Sequence, residues 1–152
     1  MKKRLLWTAA IAASLAVAGC ACLEGMVGGG TKLPPADQVC DGTGVCQVEV
    51  SVAGCPGGIT VDKPVTGVKA GVSLDIMWKL PAGNAWAFTS DGIKFKTESC
   101  AAEFDGSAAN KNVFKWHDKN PRGAAHACDY AITLVNSAGT VCHVDPTIIN
   151  GI

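Results

Sequence analysis

The sequence predicts an all-β domain, a two-sheet antiparallel sandwich of about seven short strands. Apolar and polar residues alternate with a period of two over most of the chain from residue 40 onward, as expected for strands with one buried face. Turn segments rich in Gly, Pro and Asn interrupt this alternation at short intervals. The same region holds an even number of cysteines, which indicates that disulfides staple the sandwich.

Seven segments carry the alternation. They are 46–52, 72–80, 86–88, 93–96, 114–117, 128–134 and 140–144. Ser90-Asp91-Gly92 is the expected turn between the third and fourth segments, and residues 136–139 are the expected hairpin turn before the last. The helical candidate is 101–109, which Gly106 and Ser107 limit to a single turn.

The N-terminus has the design of an export signal. Basic residues 2–4 precede an apolar run over 5–18, which is shorter than a membrane-spanning helix requires. The run ends in Val17-Ala18-Gly19-Cys20, which resembles the lipobox of bacterial lipoproteins. This resemblance implies cleavage before Cys20 and attachment of a diacylglyceryl group to its sulfur. Ala21 stands where an inner-membrane retention signal has Asp, which favours the outer membrane. The alternative is ordinary signal-peptide cleavage near Ala18, which gives a soluble periplasmic protein.

The chain is therefore expected to have three parts. These are a signal peptide over 1–19, a lipid anchor with a flexible tether over 20–39, and the β-sandwich domain over 40–152. The anchor attaches the protein to the membrane of the bacterial cell envelope, facing the periplasm or the cell surface. Removal of the signal leaves 10 basic and 13 acidic residues, which argues against nucleic-acid binding because phosphates require a basic patch.

The cysteines divide into two groups. Cys20 is assigned to the lipid, and Cys22 lies on the tether. The disulfide candidates are Cys40, Cys46, Cys55, Cys100, Cys128 and Cys142. An even set in an exported chain predicts up to three disulfides, whose pairing the sequence leaves open.

Several segments between residues 45 and 150 share their pattern with a group of known domains. They are 72–80, 90–95, 114–120, 130–132 and 145–150. The segments resemble uncharacterised small bacterial immunoglobulin-like β-sandwich proteins, which bring no established activity. In an immunoglobulin domain, a disulfide joins the two sheets beside a buried tryptophan. The resemblance therefore implies a Cys46–Cys128 bridge next to Trp78. Tyr130 follows Cys128 instead of preceding it, so the resemblance covers the architecture alone.

The sequence carries no recognisable catalytic motif. It has no nucleophile elbow, no P-loop and no zinc-protease motif. His117 with Asp118, and His143 with Asp145, are the candidate acid–base pairs, but such side chains on the solvent face of a strand are typical of ordinary surface. We therefore expect no enzymatic activity and no cofactor.

The expected function is non-catalytic binding of an envelope protein or a cell-wall component. The loops at 81–86 and 118–122 are the candidate recognition segments, since sandwich loops commonly carry binding residues. The alternative is a periplasmic metal-binding or electron-transfer module, cupredoxin-like, that uses His126, His143 and a cysteine. A blue-copper site usually includes a methionine close to its cysteine and histidine, and none follows Cys142-His143.

Replacement of Cys20 with alanine tests the lipid anchor. The wild type should incorporate an alkyne fatty acid and sediment with membranes, because buried acyl chains attach to the sulfur of this residue. Cys20→Ala should lose the label and enter the soluble fraction, whereas Cys22→Ala should keep both properties. An unlabelled wild-type protein whose mature N-terminus is Gly19 would contradict the lipobox interpretation.

Overall fold

Eleven strands and one short helix lie within residues 32–121 and 123–152, the part of the chain that the computed structural model describes. The strands are β1 (Gln38–Cys40), β2 (Cys46–Val52), β3 (Ile59–Val61), β4 (Val65–Val68), β5 (Leu74–Lys79), β6 (Trp86–Phe95), β7 (Phe104–Ala109), β8 (Val113–Asp118), β9 (His126–Asn136), β10 (Val141–Val144) and β11 (Thr147–Asn150). The helix α1 (Glu98–Ala101) connects β6 to β7. The predicted all-β class is confirmed.

Some sequence-based predictions concern residues that the structure does not describe. The signal peptide, Cys20, Cys22 and the tether up to residue 31 lie outside the described residues. Within the described part, no helix is long and apolar enough to cross a membrane.

The strands form two sheets whose apolar faces enclose one core. The first sheet has the order β1-β4-β11-β9. The long strand β9 pairs along one edge with β11 and then with β10, and along its other edge with β6. The second sheet has the order β3-β2-β5-β8-β7. The architecture is therefore the predicted two-sheet sandwich.

The predicted antiparallel arrangement is only partly right. Three neighbouring pairs are parallel, namely β1 with β4, β4 with β11, and β2 with β5. After β3 the chain leaves the second sheet, adds β4 to the first sheet, and returns as β5 beside β2. Parallel neighbours require such crossover connections, and hydrophobic alternation shows which residues face the core but not the direction of a strand.

Four of the five shortest strands were not predicted. β1, β3, β4 and β11 have only three or four residues each, so a period of two is not visible in them. β1 takes Gln38 and Val39 from the predicted tether. Asp37 extends this pairing, because its N–H donates to the Val65 carbonyl oxygen at 2.7 Å and its carboxylate accepts from the Val65 N–H at 2.8 Å. The sheet thus begins ahead of residue 40, the predicted domain boundary.

The helix prediction over 101–109 is wrong. The helix is a single turn that begins earlier, where the Thr97 hydroxyl caps it by accepting from the Cys100 N–H at 3.3 Å. Most of 101–109 is β7, which pairs with β8. The alanines of this segment favour a helix locally, but pairing with a neighbouring strand overrides that preference.

The predicted turn at Ser90-Asp91-Gly92 is a β-bulge instead. β6 is one continuous strand whose register against β9 shifts between Phe88 and Ile93. A Cβ atom on Gly92 would lie 3.0 Å from the Thr89 carbonyl oxygen, so glycine avoids a close contact with the backbone in the bulge. The two predicted segments 86–88 and 93–96 are therefore parts of a single strand.

The core is centred on two large side chains from different sheets. Trp78 of β5 and Tyr130 of β9 are both fully buried. The Trp78 indole N–H donates to the Tyr130 hydroxyl at 2.9 Å, and the rings meet edge to face with centroids 5.3 Å apart. Burial raises the pKa of the Tyr130 phenol, because a buried phenolate would lose its hydration. The predicted inward position of Trp78 is confirmed.

Three disulfides use all six candidate cysteines. Cys40–Cys46 joins the two sheets between β1 and β2, Cys55–Cys142 ties the connection after β2 to β10, and Cys100–Cys128 ties α1 to β9. The Cys46–Cys128 bridge implied by the immunoglobulin resemblance is wrong. Both sulfurs are buried, but Cys46 lies opposite β1 and Cys128 lies beside α1, so each bonds to a nearer cysteine.

Candidate functional site

A groove of about 370 Å³ lies where the parallel strands β2 and β5 both end. Parallel strands bring their carboxyl ends to the same edge of a sheet, so the residues after β5 meet the last residues of β2. The groove is lined by Glu49, Val50, Ser51, Thr60, Asp62, Lys79, Leu80, Pro81 and Ala82. The structure thus places the start of the predicted recognition loop, 81–86, in this β2–β5 groove.

The β2–β5 groove combines buried aliphatic side chains with exposed charges. Val50 and Leu80 are almost completely buried, whereas Glu49, Asp62 and Lys79 are exposed. The Asp62 carboxylate is held in place, because it accepts the Glu49 N–H at 2.7 Å. Among the described residues, neither the Glu49 carboxylate nor the Lys79 ammonium group forms a salt bridge. Both charges are therefore available to a bound molecule.

A hydrogen-bonded Ser–His–Asp chain lies on the outer face of the second sheet. The His117 Nε2 atom is 3.0 Å from Ser73 Oγ, and its Nδ1 atom is 2.8 Å from Asp75 Oδ1. The register of β5 against β8 places Asp75 opposite His117, and Ser73 lies two residues earlier on the same face. The sequence analysis missed Ser73 and Asp75. The sequence shows that Ser73 and Asp75 lie on the same face of a strand, because they are two residues apart. It does not show that His117 is close, because His117 is more than forty residues away and only strand pairing brings it near.

The Ser–His–Asp chain has the order of a hydrolase triad but not its environment. The Ser73 hydroxyl donates to the Asp118 carbonyl oxygen at 3.0 Å, so its proton points away from the imidazole. Hydrogen bonds from His117 and from Lys115 lower the pKa of Asp75. Asp75 is exposed to solvent, whereas the aspartate of a catalytic triad is buried behind its histidine. We therefore interpret Ser73, His117 and Asp75 as a hydrogen-bond network on the surface of the sheet.

The two predicted acid–base pairs do not form. His117 and Asp118 are adjacent on β8 and point to opposite faces of the sheet, with Asp118 fully buried. Asp145 pairs with Lys96 at 3.1 Å, and His143 is exposed on β10.

A polar cluster lies at the opposite end of β5, roughly 17 Å from the groove along the strand. We call it the Asp118 cluster, and it consists of Glu103, Asp118, Asn120, His126 and Asn150. The Asn150 amide donates to Glu103 Oε2 at 2.7 Å and to Asp118 Oδ1 at 3.3 Å. Asp118 Oδ1 also accepts the Asn120 N–H at 2.8 Å, and His126 Nε2 is 2.8 Å from Glu103 Oε1. One hydrogen-bond network therefore joins residues at the start of β7, the end of β8, the start of β9 and the end of β11.

Electrostatics in the Asp118 cluster reflect its burial. Desolvation raises the pKa of Asp118 to about 6, and the nearby Glu103 charge adds to the increase. The hydrogen bond from His126 to the Ala124 carbonyl oxygen and the Glu103 carboxylate raise the pKa of His126, although partial burial opposes this. The imidazolium form can donate through both ring nitrogens, as these two acceptors require.

The sequence analysis found only part of the Asp118 cluster. It placed Asp118 and Asn120 in a recognition loop and His126 in a metal site, but it missed Glu103 and Asn150. Asp118 and Asn120 are buried rather than exposed, and Arg122 of the same predicted loop lies outside the described residues. No local pattern marks Glu103 or Asn150, because Glu103 reaches Asp118 through the pairing of β7 with β8, and Asn150 of β11 reaches both through the packing of one sheet on the other.

The structure does not bring the predicted metal ligands His126, His143 and a cysteine together in one site. Donor atoms of Glu103, His126 and Cys128 lie within 4.8 Å of one another, but the Cys128 sulfur is bonded to Cys100 and offers no thiolate. His143 lies opposite Thr133, seven residues along β9 from His126, which is roughly 23 Å. His126 and His143 therefore cannot bind the same ion.

Titration of His126 tests the electrostatics of the Asp118 cluster. Its pKa, measured by NMR of the imidazole resonances, should lie above the ordinary value, and Glu103→Gln should lower it because the partner charge is lost. Because the folded-state pKa is the raised one, the stabilisation from His126 is complete below the unfolded-state pKa and is lost as the pH rises through the folded-state pKa. The control Asp145→Asn should leave the His126 titration unchanged. A pKa that does not respond to Glu103→Gln would contradict the described ion pair.

Comparison with known proteins does not indicate a role for these residues. No known protein family matches the chain, and no curated protein is significantly similar to it. The function must therefore be inferred from the chemistry of the groove and of the buried cluster.

Proposed function

We propose that this chain is a non-catalytic lipoprotein of the bacterial cell envelope whose sandwich domain binds a protein partner in the β2–β5 groove. The groove itself carries the proposal, because it joins the exposed apolar residues Pro81 and Ala82 to charges of both signs that form no salt bridge with the described residues. Its volume of about 370 Å³ falls within the range of small binding sites, roughly 300–1,000 Å³. The disulfides of the described domain support export, since such bonds persist in oxidising compartments.

The lining chemistry favours a peptide segment over a cell-wall glycan. None of the lining residues is aromatic, so the groove offers no flat apolar face on which a sugar ring could stack. The exposed apolar residues Pro81 and Ala82 suit an aliphatic side chain, while Glu49 and Lys79 suit charged neighbours of opposite sign. A protein segment with an aliphatic residue between a basic and an acidic one matches this arrangement.

The anchor would define where binding takes place. A lipid on Cys20 and a tether of about 18 residues would give the domain a reach of roughly 25 Å from the membrane surface. A partner in or near the same membrane would then meet the groove at a high effective concentration, so that modest contacts suffice.

Charge reversal at Lys79 tests the groove. A photoreactive residue at position 82 should crosslink in cells to one envelope protein, and Lys79→Glu should weaken binding of that purified partner about fivefold, because rim charge pairs contribute about 1 kcal/mol. The matched control is Lys111→Glu, since Lys111 is also exposed and unpaired among the described residues but does not line the groove.

Two results would contradict the proposed function. Equal weakening by Lys79→Glu and Lys111→Glu would mean that the groove is not the contact surface. Binding to purified peptidoglycan that Lys79→Glu abolishes, without any protein crosslink from position 82, would replace the protein partner with a cell-wall one.

A further inference from the structure

Three buried oxygen atoms in the Asp118 cluster lack hydrogen-bond partners within the described structure. They are Asp118 Oδ2, Asn120 Oδ1 and Asn150 Oδ1. Their residues are 0%, 2% and 0% exposed, so bulk water does not reach these atoms. A buried polar atom in a native protein is almost always satisfied by protein, ordered water or an ion. Three such atoms in one network indicate a further bonding partner, either ordered water or an ion.

The three side chains are held together and their orientations are fixed. Asp118 Oδ1 accepts from the Asn120 N–H and from the Asn150 amide, which makes Asp118 the hub of the group. The Asn120 amide nitrogen donates to the Lys69 and Val72 carbonyl oxygens, at 2.6 and 3.2 Å. Since both asparagine NH₂ groups are used as donors, each asparagine presents its carbonyl oxygen as the open atom.

The charge balance also favours a cation. The two Glu103 oxygens are occupied by His126 and by Asn150, so the glutamate already has its counter-charge. Asp118 forms no salt bridge with any described residue. A buried carboxylate without a cationic partner is unfavourable unless a proton or a metal ion compensates it.

We propose that the Asp118 cluster binds one Ca²⁺ ion through Asp118 Oδ2, Asn120 Oδ1 and Asn150 Oδ1. Ca²⁺ accepts six to eight oxygen ligands in flexible geometry, with backbone carbonyls and water completing the shell. Mg²⁺ demands a strict octahedron and keeps its water, and Zn²⁺ prefers nitrogen and sulfur ligands, so an all-oxygen buried set suits Ca²⁺ best. One carboxylate among amides corresponds to weak binding, with a Kd on the order of 10⁻⁴–10⁻³ M, as in other exported modules.

This ion would be structural and does not depend on the proposed function of the groove. It would join the end of β8 to the end of β11 and thus connect the two sheets at the end opposite the groove. Its test therefore stands whether or not a protein partner is found.

Thermal unfolding of the full chain, solubilised in detergent and freed of metal with EDTA, tests the proposal. Addition of 10 mM Ca²⁺ should raise the Tm by about 4–10 °C, because a ligand at 10 to 100 times its Kd stabilises the native state, and 10 mM Mg²⁺ should not. Asp118→Asn keeps the shape of the side chain and should lose the Ca²⁺-dependent shift. The matched control Asp105→Asn removes an exposed carboxylate on the neighbouring β7 and should keep it.

A second measurement needs no variant and covers the case in which Asp118→Asn does not fold. Titration of the wild type with Mn²⁺ should broaden the backbone amide signals of Asp118, Asn120 and Asn150 before those of exposed carboxylates such as Asp91. The proposal is overturned if Ca²⁺ leaves the wild-type Tm unchanged, if Asp118→Asn keeps the shift, or if broadening is centred away from the cluster. Any of these results would assign ordered water to the three oxygens.

Discussion

The contact between Trp78 and Tyr130 is the interaction on which the rest of this domain depends. The two side chains come from different sheets, lack any exposed surface and satisfy each other through the only strong polar group that each carries. Trp78 lies between Val48 of β2 and Phe114 of β8, so the contact fixes the centre of the second sheet against β9. An apolar core alone would tolerate sliding of the sheets, whereas this hydrogen bond requires one alignment.

That alignment separates the two ends of the sandwich, and each end has its own chemistry. β5 enters at the Asp118 cluster and leaves at the β2–β5 groove. The cluster is hydrogen-bonded and built from both sheets, and its Asp118, Asn120 and Asn150 are buried, which suits a rigid structural site. The groove is open, and its charges on Glu49 and Lys79 are unpaired among the described residues, which suits recognition. The Ser73–His117–Asp75 network lies on the outer face at the cluster end of β5 and contacts the cluster through the Asp118 backbone.

Local patterns in the sequence were sufficient to predict the all-β class, the inward position of Trp78 and long strands such as 46–52 and 128–134, because alternation depends only on neighbouring residues. Strand direction, three-residue strands and the continuity of β6 through its bulge depend on partners distant in the chain. The same holds for the cysteines: the even count predicted up to three bridges, but the partner of Cys128 depends on where α1 lies. Glu103 and Asn150 were missed for this reason, since the pairing of β7 with β8 brings Glu103 to Asp118 and the packing of the two sheets brings Asn150 there.

A double-mutant cycle on Trp78→Phe and Tyr130→Phe tests the central claim most directly. Each single variant leaves one buried polar group without its partner and should lower the free energy of unfolding by about 1–3 kcal/mol. The double variant removes both groups and should cost about 1–2 kcal/mol less than the sum of the single changes, as measured by urea unfolding. Effects that add to within about 0.5 kcal/mol would show that the two residues do not interact, and would contradict the alignment of the sheets described above.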